Sequence, residues 1–530
     1  MLGTWEHPCL GNRSLENQNI VFRLDSGAEI GYGHLMRCLT LAEQFKRRGA
    51  RCYFMCRELA GANSALILQR GFELISLPAD NSFVLPQDEA PSPPHSHWLR
   101  TSWQQDAAQC LDHLTVLRPI LIIVDHYALD ARWEIQVKPY CQKLCVIDDL
   151  ADRAHQCDLL LDYNLSAHVQ DYRACLPHDS QLLLGRKYVL LRDEFLQWRT
   201  TSLQRRQHGK LEHILVMFGG IDPSNHAGQV LEVLKQLTLP DVSRIDVVIS
   251  SRAPALSSVS ALAQTMPVNT CVHTDVSNMA QLMANADLAI GAGGGATYER
   301  LFLQLPSLLM PIADNQIKPL QLMSQQGYFQ LFYNMAQLTQ LLASYRQQRL
   351  PVVQVPVLFG APFVSELMLA QTVTLTDVRP WDIRRNFHWL QNSELRRQFV
   401  MAQAPERAGH CRYWRNLLNS NAQYVFSILH EGKHVGSVGV KHINPARGEA
   451  EIWIYLGQTQ QQQQGVGSKA LLLLEAFVRD SLLLQHIVLH VWQGNTAALG
   501  FYQKHRYQLS EVNLPAEFVG KNVVQMRKAL

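Results

Sequence analysis

Apolar strand-like runs alternate with helix-like stretches from residue 20 to about 300, and this alternation limits the fold more than any other feature. The runs of the first series are continuous rather than alternating: NIVFRL (19–24), ARCYFMC (50–56), ILIIVDH (120–126), KLCVIDDL (143–150) and CDLLLDYN (157–164). Strands that are apolar on both faces are typical of a parallel sheet covered by helices. We therefore predict a Rossmann-like α/β lobe in this part of the chain.

A second series of the same kind follows, and each of its runs precedes a helical pattern: HILVMFGGID (213–222), RIDVVIS (244–250), NTCVHT (269–274), DLAIGAGGGATYER (287–300) and PSLLMPIADNQ (306–316). Two parallel-sheet halves joined near residues 195–210 predict a ligand cleft between two lobes, at the carboxyl ends of their strands. A Pro-rich insert, PQDEAPSPPHSH (86–97), interrupts the first series and is predicted to be a surface loop.

The pattern changes at about residue 374. AQYVFSILHEGKHVGSVGVKHI alternates like antiparallel strands with a turn at Glu431-Gly432, and a later Gly-containing loop opens a helix at about Ser468. This part is predicted to be a separate α+β domain. The predicted boundaries are a polar N-terminal extension (1–19), a first lobe (20–200), a second lobe (205–345), a last helix and linker (346–373) and the third domain (374–530).

Composition argues against several classes of protein. Lys and Arg number 48 against 45 Asp and Glu, a net charge of +3 that predicts neither a nucleic-acid nor a membrane-surface partner. The 11 cysteines lack a CxxC or His-rich half-site, so we expect reduced thiols and no metal. The first nineteen residues are too polar for a signal peptide, and no uncharged apolar run reaches ~18 residues. We expect a cytoplasmic protein, and the oligomeric state stays open.

Glycine-bearing turns follow three of the apolar runs: Gly31/Gly33, Gly219/Gly220 and Gly291/Gly293/Gly294/Gly295. Such turns present backbone N–H groups to a diphosphate, although each alone is also explained by a tight turn that needs a positive φ. No lysine follows in a GxxxxGK[ST] pattern, so an ATP-hydrolysing P-loop is not predicted. Glu299, just beyond the last turn, has two alternatives: it accepts hydrogen bonds from ribose hydroxyls, or it is a solvated helix residue.

Six blocks carry a specific resemblance, in this order: DSGAEIGYGHLMRCLTLA, VDHYALDARWE, IDDLADRAHQCDLLLDYN, LLGRKYVLLRDEF, FGGIDPSN and AIGAGGGATYERLFLQLPSLLM. Together they resemble the nucleotide-sugar hydrolases of pseudaminic acid synthesis, which cleave UDP-2,4-diacetamido-2,4,6-trideoxy-β-L-altropyranose. The resemblance spans residues 20 to about 370. It implies the two-lobed GT-B fold, similar to that of the lipid II-forming N-acetylglucosamine transferase. Ala296 departs from the Ser or Thr expected there.

The resemblance assigns His34, in the GYGH turn, as the base that takes a proton from water. Neutral imidazole suits this task near its ordinary pKa of about 6.5, and UDP leaves without a second acid because its terminal phosphate has a pKa of about 6. Asp125, His126, Tyr127 and Asn164 end strands that face the same cleft, and we assign them to the hydroxyl and acetamido groups of the sugar. Helix or turn capping is the alternative for Asp125 and Asn164. The predicted substrate- and UDP-binding residues are Gly31, Gly33, Arg37, Asp125, His126, Tyr127, Asn164, Gly219, Gly220, Gly293, Gly294, Gly295, Thr297, Glu299, Asn315 and Gln316.

The third domain contains QQQGVG (462–467), which fits Q-x-x-G-x-G before a helix, although the surrounding glutamine run also matches this pattern by composition. GNTAALGFYQKHRYQL (494–509) follows the strand HIVLHVW and resembles the last motif of GNAT N-acetyltransferases. That resemblance implies acetyl-CoA as cosubstrate and Tyr502 as proton donor to the departing thiolate. Glu449 and Glu451 either receive the amine proton through water or face solvent. The predicted acetyl-CoA-binding residues are Gln462, Gly465, Val466, Gly467, Ser468, Asn495 and Lys504.

HWLQNSELRR and HCRYW further resemble the pseudaminic-pathway acetyltransferases, which act on the 4-amine of a UDP-4-amino-4,6-dideoxy sugar. The sequence therefore predicts a bifunctional enzyme that acetylates and then hydrolyses one nucleotide sugar, with no metal required. Two alternatives stay open: a GT-B glycosyltransferase with a tethered acetyltransferase, and a non-catalytic nucleotide-sugar-binding module fused to an acetyltransferase.

Overall fold

The structure is a computed structural model with three sheets. It describes residues 15–530 apart from 81, 84–91, 178, 220, 238, 346–348, 352, 354–357, 371, 399–400, 402, 421, 458–464, 511–517 and 519.

The first lobe is built on seven strands: β1 (Asn19–Leu24), β2 (Arg51–Arg57), β3 (Glu73–Leu77), β4 (Leu121–Asp125), β5 (Lys143–Ile147), β6 (Leu159–Asp162) and β7 (Gln181–Leu184). Neighbouring strands are parallel, in the order β3-β2-β1-β4-β5-β6-β7. The helices are α1 (Gly33–Arg47), α2 (Ser64–Gln69), α3 (Trp103–Leu117), α4 (Ala131–Val137) and α5 (Asp193–Arg206), and short 3₁₀ turns occupy Ser96–Leu99, Lys138–Tyr140 and Arg186–Tyr188. The five strands predicted from apolar runs are confirmed. The two outermost strands, β3 and β7, were not predicted because they are short and lie at the sheet edges.

The second lobe has six strands: β8 (His213–Met217), β9 (Arg244–Ile249), β10 (Asn269–Thr274), β11 (Leu288–Ala292), β12 (Ser307–Met310) and β13 (Gln330–Leu331). They are also parallel, in the order β10-β9-β8-β11-β12-β13. Its helices are α6 (His226–Gln236), α7 (Leu256–Gln264), α8 (Met279–Asn285), α9 (Ala296–Phe302), α10 (Asp314–Gln325) and α11 (Met335–Ser344). The next helix, α12 (Ala361–Leu369), returns to pack on α1 of the first lobe.

The third domain has a mixed sheet of seven strands: β14 (Val373–Thr376), β15 (Tyr424–His430), β16 (Lys433–Asn444), β17 (Glu449–Leu456), β18 (His486–Trp492), β19 (Gln508–Ser510) and β20 (Val523–Ala529). In the order β14-β15-β16-β17-β18-β20-β19, only β17 and β18 are parallel neighbours. The helices are α13 (Pro380–Trp389), α14 (Ser393–Gln398), α15 (Arg407–Leu418), α16 (Val466–Ala476), a π-helical turn (Phe477–Ser481) and α17 (Thr496–Lys504). Helix α16 begins at Val466, two residues before the predicted start at Ser468.

The third domain shares a hydrophobic core with the first lobe. The ring of Phe363, on α12, lies 5.0 Å from that of Phe477 and 5.7 Å from that of Phe426 in the third domain. A hydrogen bond also crosses this boundary, because the side-chain amide of Gln181 donates from Nε2 to the backbone carbonyl of Leu375 at 2.8 Å. Burial of this apolar surface on both sides fixes the third domain against the lobe.

The Pro-rich insert is a partial correction to the sequence analysis. Residues 84–91 lie outside the described part of the chain, but the end of the insert is not a free surface loop. The 3₁₀ turn Ser96–Leu99 buries Ser96 and Leu99, and Ser96 Oγ donates to the carbonyl of Pro93 at 2.6 Å. The apolar residue that ends the turn explains the difference, since its burial draws the segment onto the lobe.

Candidate active sites

The order of the parallel strands places the predicted turns next to one another. In the first sheet the connections change direction between β1 and β4, and in the second sheet between β8 and β11. Ligands of open α/β sheets bind in the crevice outside these switch points. The GYGH turn follows β1 and Asp125 ends β4, so both lie at the first switch point. The turns that begin at Gly219 and Gly293 lie at the second.

His34 is the second residue of α1, and the turn before it positions its side chain. Gly31 adopts a φ of +78°, which favours glycine, and its amide donates back to the carbonyl of Gly27 at 2.8 Å. Tyr32 reaches the second lobe, since Arg252 donates from Nη2 to its hydroxyl at 2.8 Å. The GYGH turn therefore faces the cleft between the lobes.

His34 is paired with a buried carboxylate. Its Nδ1 lies 2.6 Å from Oδ1 of Asp125, and Arg37 donates to both oxygens of the same carboxylate at 2.6 Å each. Although burial alone favours the neutral acid, Arg37 and His34 hold the pKa of Asp125 well below its usual range. The carboxylate therefore accepts a proton-bearing Nδ1, which leaves the lone pair of Nε2 for a ligand.

Two further groups complete this pocket, and the sequence analysis named one of them. The ring of Tyr127, a predicted residue, lies 4.6 Å from the His34 ring, and its hydroxyl donates to Oδ1 of Asp149 at 2.5 Å. Asp149 also accepts from Arg37 at 3.2 Å. Asp149 belongs to the DDLADR block that carries the resemblance, but nothing in the local pattern of that block indicates a residue of the site.

His126 is a correction. It was predicted to bind the sugar, but its ring turns into the lobe, where the residue is 3% exposed. Its Nε2 donates to Asp25 at 3.0 Å, and its Nδ1 accepts from the amide of Ala128 at 3.1 Å. Asp25 is in turn paired with the buried Arg23. Both ring nitrogens are used inside the protein, so His126 supports the switch point rather than contacting a ligand.

Asn164 joins the lobes. Its Oδ1 accepts a hydrogen bond from the hydroxyl of Tyr298, on α9 of the second lobe, at 2.7 Å. The residue before it, Tyr163, packs over the Arg37 guanidinium, whose Cζ lies 5.9 Å from the ring centroid. Asn164 thus lies where the two lobes meet, and its side-chain oxygen is already bound to protein.

The glycine turn after β11 approaches its neighbours closely. A Cβ at Gly291 would lie 1.9 Å from the carbonyl oxygen of Met217, and one at Gly293 would lie 2.2 Å from Leu320. Gly294 and Gly295 are exposed beyond this packing, at the start of α9. A hydrogen bond within the turn stabilises its conformation, because the amide of Gly294 donates to Oγ1 of the buried Thr297 at 3.1 Å.

Glu299 is not a solvated surface residue. Arg192 donates to its Oε1 from Nη2 at 2.9 Å and from Nε at 3.1 Å, which ties α9 to the segment that joins the lobes. Gln316 lies near the turn, since its Nε2 is 3.9 Å from the position of a Cβ at Gly294. Its Oε1 accepts from the amide of Ile312 at 3.1 Å.

The turn at Gly219 differs from the one at Gly293, because the helix after it is already capped. Asp222 accepts from the amides of His226 and Ala227 at 2.9 and 2.8 Å, and Asn225 accepts from that of Gly228 at 3.1 Å. Side chains of the protein therefore occupy the donors that begin α6. Gly220 lies outside the described residues, as does the side chain of Asn315.

In the third domain, strands β17 and β18 pair only at their beginnings. The ladder runs from Glu449–His486 to Glu451–Val488, although both strands continue. Helix α16 starts beside the end of β17, with Gly465 at a φ of +76° as its N-cap. A Cβ at Gly467 would lie 3.7 Å from the ring of Phe501 and 3.9 Å from Leu456, which is ordinary contact.

The other predicted acetyl-CoA residues have different surroundings. Ser468 Oγ lies 2.9 Å from Nε2 of His505. Asn495 caps α17, where its Oδ1 accepts from the amide of Ala498 at 3.1 Å. Lys504 is exposed in the last turn of that helix. Val466 is buried, and Gln462 lies outside the described residues.

Tyr502 is 7% exposed, and burial raises the pKa of its phenol well above the usual value. The hydroxyl therefore stays protonated across the neutral range, as a proton donor must. Its ring packs 5.2 Å from that of Phe501 and 5.5 Å from that of Tyr507.

Glu451 and Glu449 have distinct environments. Glu451 is 5% exposed and contacts three basic side chains, at 3.1 Å from Lys441, 2.7 Å from His442 and 3.0 Å from His490. Burial opposes ionisation, but hydrogen bonds from the two histidines dominate and lower its pKa to about 2. Glu449 is the first residue of β17, and its Oε2 lies 3.5 Å from Nη2 of Arg527. A carboxylate with so low a pKa accepts a proton poorly, which argues against Glu451 as the base itself.

Within the described residues, no helix is both long and apolar enough to cross a membrane. The same part of the chain holds no group of three or more His, Cys, Asp or Glu side chains arranged to bind a metal ion.

Comparisons with known proteins agree with these two parts of the structure. Residues 387–507 match the family model described as "Acetyltransferase (GNAT) family". Over 309 residues the chain is 24% identical to the UDP-2,4-diacetamido-2,4,6-trideoxy-beta-L-altropyranose hydrolase of Campylobacter jejuni, which covers 58% of this chain and 97% of the relative.

Two solved structures are also similar. That of Acinetobacter baumannii MurG has a TM-score of 0.46 and 14% identity, covering 66% of this chain and 99% of its own. That of the Campylobacter jejuni N-acetyltransferase PseH has a TM-score of 0.23 and 15% identity, covering 30% and 99%. The predicted fold class, two Rossmann-like lobes followed by an α+β GNAT domain, is confirmed by the sheets and the family match. The predicted resemblance is confirmed in both parts, and with it the prediction of an enzyme.

Proposed function

We propose that the chain is a bifunctional nucleotide-sugar enzyme of the pseudaminic acid type. Its third domain acetylates the 4-amine of a UDP-4-amino-4,6-dideoxy-N-acetyl sugar, and its two lobes then hydrolyse the diacetamido product to UDP and the free sugar. The observation that carries the proposal is the pairing of His34 with Asp125 at the first switch point, opposite the glycine turn of the second lobe. The hydrolase relative and the GNAT match support the two activities.

In the hydrolytic step, His34 takes a proton from water at Nε2, while Nδ1–H stays bonded to Asp125. The oxygen of that water forms a bond to the anomeric carbon, and the bond from this carbon to the diphosphate breaks. Asp125 stabilises the imidazolium that results, and Arg37 keeps Asp125 ionised. UDP leaves as an anion without an acid to protonate it, since a terminal phosphate is a good leaving group.

The second lobe would hold the nucleotide. Gly295, exposed at the start of α9, offers its backbone amide to the diphosphate, and the hydrogen bond from the Gly294 amide to Thr297 fixes the turn before it. Glu299, oriented by Arg192, offers its carboxylate to ribose hydroxyls. The start of α6 is less suited to phosphate because Asp222 and Asn225 already cap it.

In the acetyl transfer, the start of α16 and the divergence of β17 from β18 suit acetyl-CoA, a thioester that carries a diphosphate. Gly465, Gly467 and Ser468 would hold it, because their backbone is close to the gap and small side chains leave room. The amine nitrogen bonds to the acetyl carbon and the bond to sulfur breaks, while Tyr502 gives its proton to the departing thiolate. The nitrogen loses its extra proton to water, and water returns a proton to Tyr502, so the products are a neutral amide and a thiol.

Mass spectrometry of the whole chain tests the proposal. The purified protein is incubated with UDP-4-amino-4,6-dideoxy-N-acetyl-β-L-altrosamine, with and without acetyl-CoA, beside the variants His34→Ala and Tyr502→Phe. We expect UDP and the diacetamido hexose only when acetyl-CoA is present. His34→Ala should accumulate the acetylated nucleotide sugar, whereas Tyr502→Phe should slow its formation.

Other outcomes point to the alternatives. Acetylation without release of UDP, unchanged by any addition, would make the two lobes a binding module. Release of UDP only after a sugar acceptor is added would make them a glycosyltransferase. In either case the role of His34 given above would be wrong.

A further inference from the structure

An aromatic surface lies beside His34, and it is formed by His95 at the end of the Pro-rich insert, Trp98 just after the insert, and Tyr127. The ring of Trp98 lies 6.4 Å from that of His34 and 5.7 Å from that of Tyr127. The ring of His95 lies 4.5 Å from that of Trp98 and 5.4 Å from that of Tyr127. Trp98, His95 and Tyr127 thus form one continuous wall next to the proposed base.

The segment that carries Trp98 is fixed to the turn that carries His34. Glu29, in the connection between β1 and α1, lies 2.9 Å from Nε2 of His97 and accepts from Nη2 of Arg100 at 3.1 Å. Leu99 is 1% exposed and anchors the segment in the core. Glu29 therefore fixes the position of Trp98 relative to the GYGH turn, because its two contacts, His97 and Arg100, lie on either side of Trp98 in the sequence.

One polar atom of this wall has no partner. Among the described residues, Nδ1 of His95 is buried without a hydrogen bond. Burial lowers the pKa of His95, so its imidazole is neutral at working pH and carries both a donor and an acceptor nitrogen. A buried polar atom without a partner in the protein is suited to one on a ligand.

The acids of this pocket are already paired. Arg37 contacts both Asp125 and Asp149, and Arg153 contacts Asp148 and Asp152 at 2.7 and 2.9 Å. Among the described residues, a substrate ammonium group that entered against the aromatic wall would lose water and meet only carboxylates that are already paired. A neutral amide with a methyl group would instead pack on the rings and bond His95.

We propose that Trp98 and His95 recognise an acetamido substituent of the sugar, so that the hydrolytic site prefers a nucleotide sugar with two acetamido groups over one with a free amine. This rests on the proposed function. The methyl of the acetamido group packs on Trp98, and its amide bonds Nδ1 of His95. Such selection would make acetylation precede hydrolysis on this chain. A single apolar contact in a pocket discriminates by roughly 10- to 200-fold.

The test is a comparison of kcat/KM for UDP release from the 4-acetamido and 4-amino forms of the same UDP sugar, without acetyl-CoA. In the whole chain we expect the acetamido form to be preferred, and Trp98→Ala to reduce the ratio about 10-fold or more, chiefly through a higher KM for the acetamido form. His95→Ala should reduce it in the same direction, and Trp98→Phe should retain most of it.

Trp103→Ala is the matched control, because Trp103 lies on α3 and its ring contacts Arg132, whose Cζ lies 5.4 Å from the ring centroid. The ratio of kcat/KM for the acetamido form to that for the amino form should equal the wild-type ratio in this variant. The thermal unfolding midpoint of each variant reports whether the first lobe is folded. A Trp98→Ala variant that slows both substrates equally would overturn the inference while the proposed function stands. A wild type that releases UDP from neither substrate would overturn both.

Discussion

Asp125 holds His34 from the far side of the imidazole, with its Oδ1 2.6 Å from Nδ1. The two residues are 91 positions apart, and they meet because β1 and β4 are neighbours in the first sheet. Since Arg37 binds the same carboxylate at both oxygens, the acid has one geometry in which to accept the imidazole proton. This arrangement fixes the tautomer that the proposed hydrolysis requires.

Asp125→Asn should therefore impair hydrolysis without removing the pocket. We expect kcat for UDP release from the diacetamido nucleotide sugar to fall by roughly 10²- to 10⁴-fold, because an amide does not stabilise an imidazolium or select the tautomer. Steady-state kinetics on the purified variant measure this fall. Asp112→Asn, an exposed change on α3, is the control. Equal rates for Asp125→Asn and wild type would exclude the dyad.

Gly291 and Gly294, in the same glycine-rich segment of the second lobe, differ in the space that each leaves for a side chain. A Cβ at Gly291 would meet the Met217 carbonyl at 1.9 Å, whereas at Gly294 the nearest atom is 3.9 Å away. Gly291→Ala must displace backbone, so we expect it to destabilise the protein by about 1–3 kcal/mol. Gly294→Ala should leave the thermal unfolding midpoint near that of the wild type. Equal midpoints for the two variants would contradict the packing described for this turn.

Phe363 tests whether the first lobe and the third domain are one cooperative unit. Its ring is fully buried between Tyr188, Phe426 and Phe477. Phe363→Ala should lower the free energy of unfolding by about 3–5 kcal/mol. It should also lower both activities together, because the cavity opens in a core that the two parts share. Denaturant unfolding followed with both activity assays measures this.

Val116→Ala provides the reference for that experiment, since Val116 is 81% exposed on α3 and its truncation leaves no cavity. Loss of acetyl transfer alone in Phe363→Ala, with the lobes unfolding as in the wild type, would show that the third domain is energetically independent.

His434 predicts a pH dependence of stability. It is buried on β16, its ring lies 4.9 Å from that of Trp389, and burial lowers its pKa to about 4. The unfolded chain binds the proton near pH 6.5 and the folded chain only near pH 4, so stability is complete above about pH 6.5 and falls as the pH decreases toward 4. By linkage the loss approaches about 3 kcal/mol at the acid end.

His434→Gln should remove this part of the slope. Urea unfolding midpoints between pH 7.5 and about pH 5 should fall less steeply in the variant than in the wild type. His208→Gln, a change at an exposed histidine, should keep the wild-type slope. Parallel slopes for His434→Gln and the wild type would mean that other groups cause the acid sensitivity.

Local sequence patterns were sufficient to predict the architecture. Continuous apolar runs predicted the central strands of both lobes, since burial on both faces is a property of each run by itself. The turns at Gly31 and Gly293 follow such runs, and parallel topology then brings their ends to the same edge. His34 was named because it occupies one of these turns within a motif that resembles a known hydrolase, and Asp125 because it ends the neighbouring strand.

Only the tertiary structure decided what those side chains contact. No local pattern distinguishes Asp125, which holds His34, from His126, the next residue, which turns into the core toward Asp25. Trp98 lies beside the same base, and it directly follows the insert 86–97, for which only a surface loop was predicted. Such contacts join residues tens of positions apart, and they depend on how the chain returns and which apolar residues it buries there, so periodicity along the sequence does not encode them.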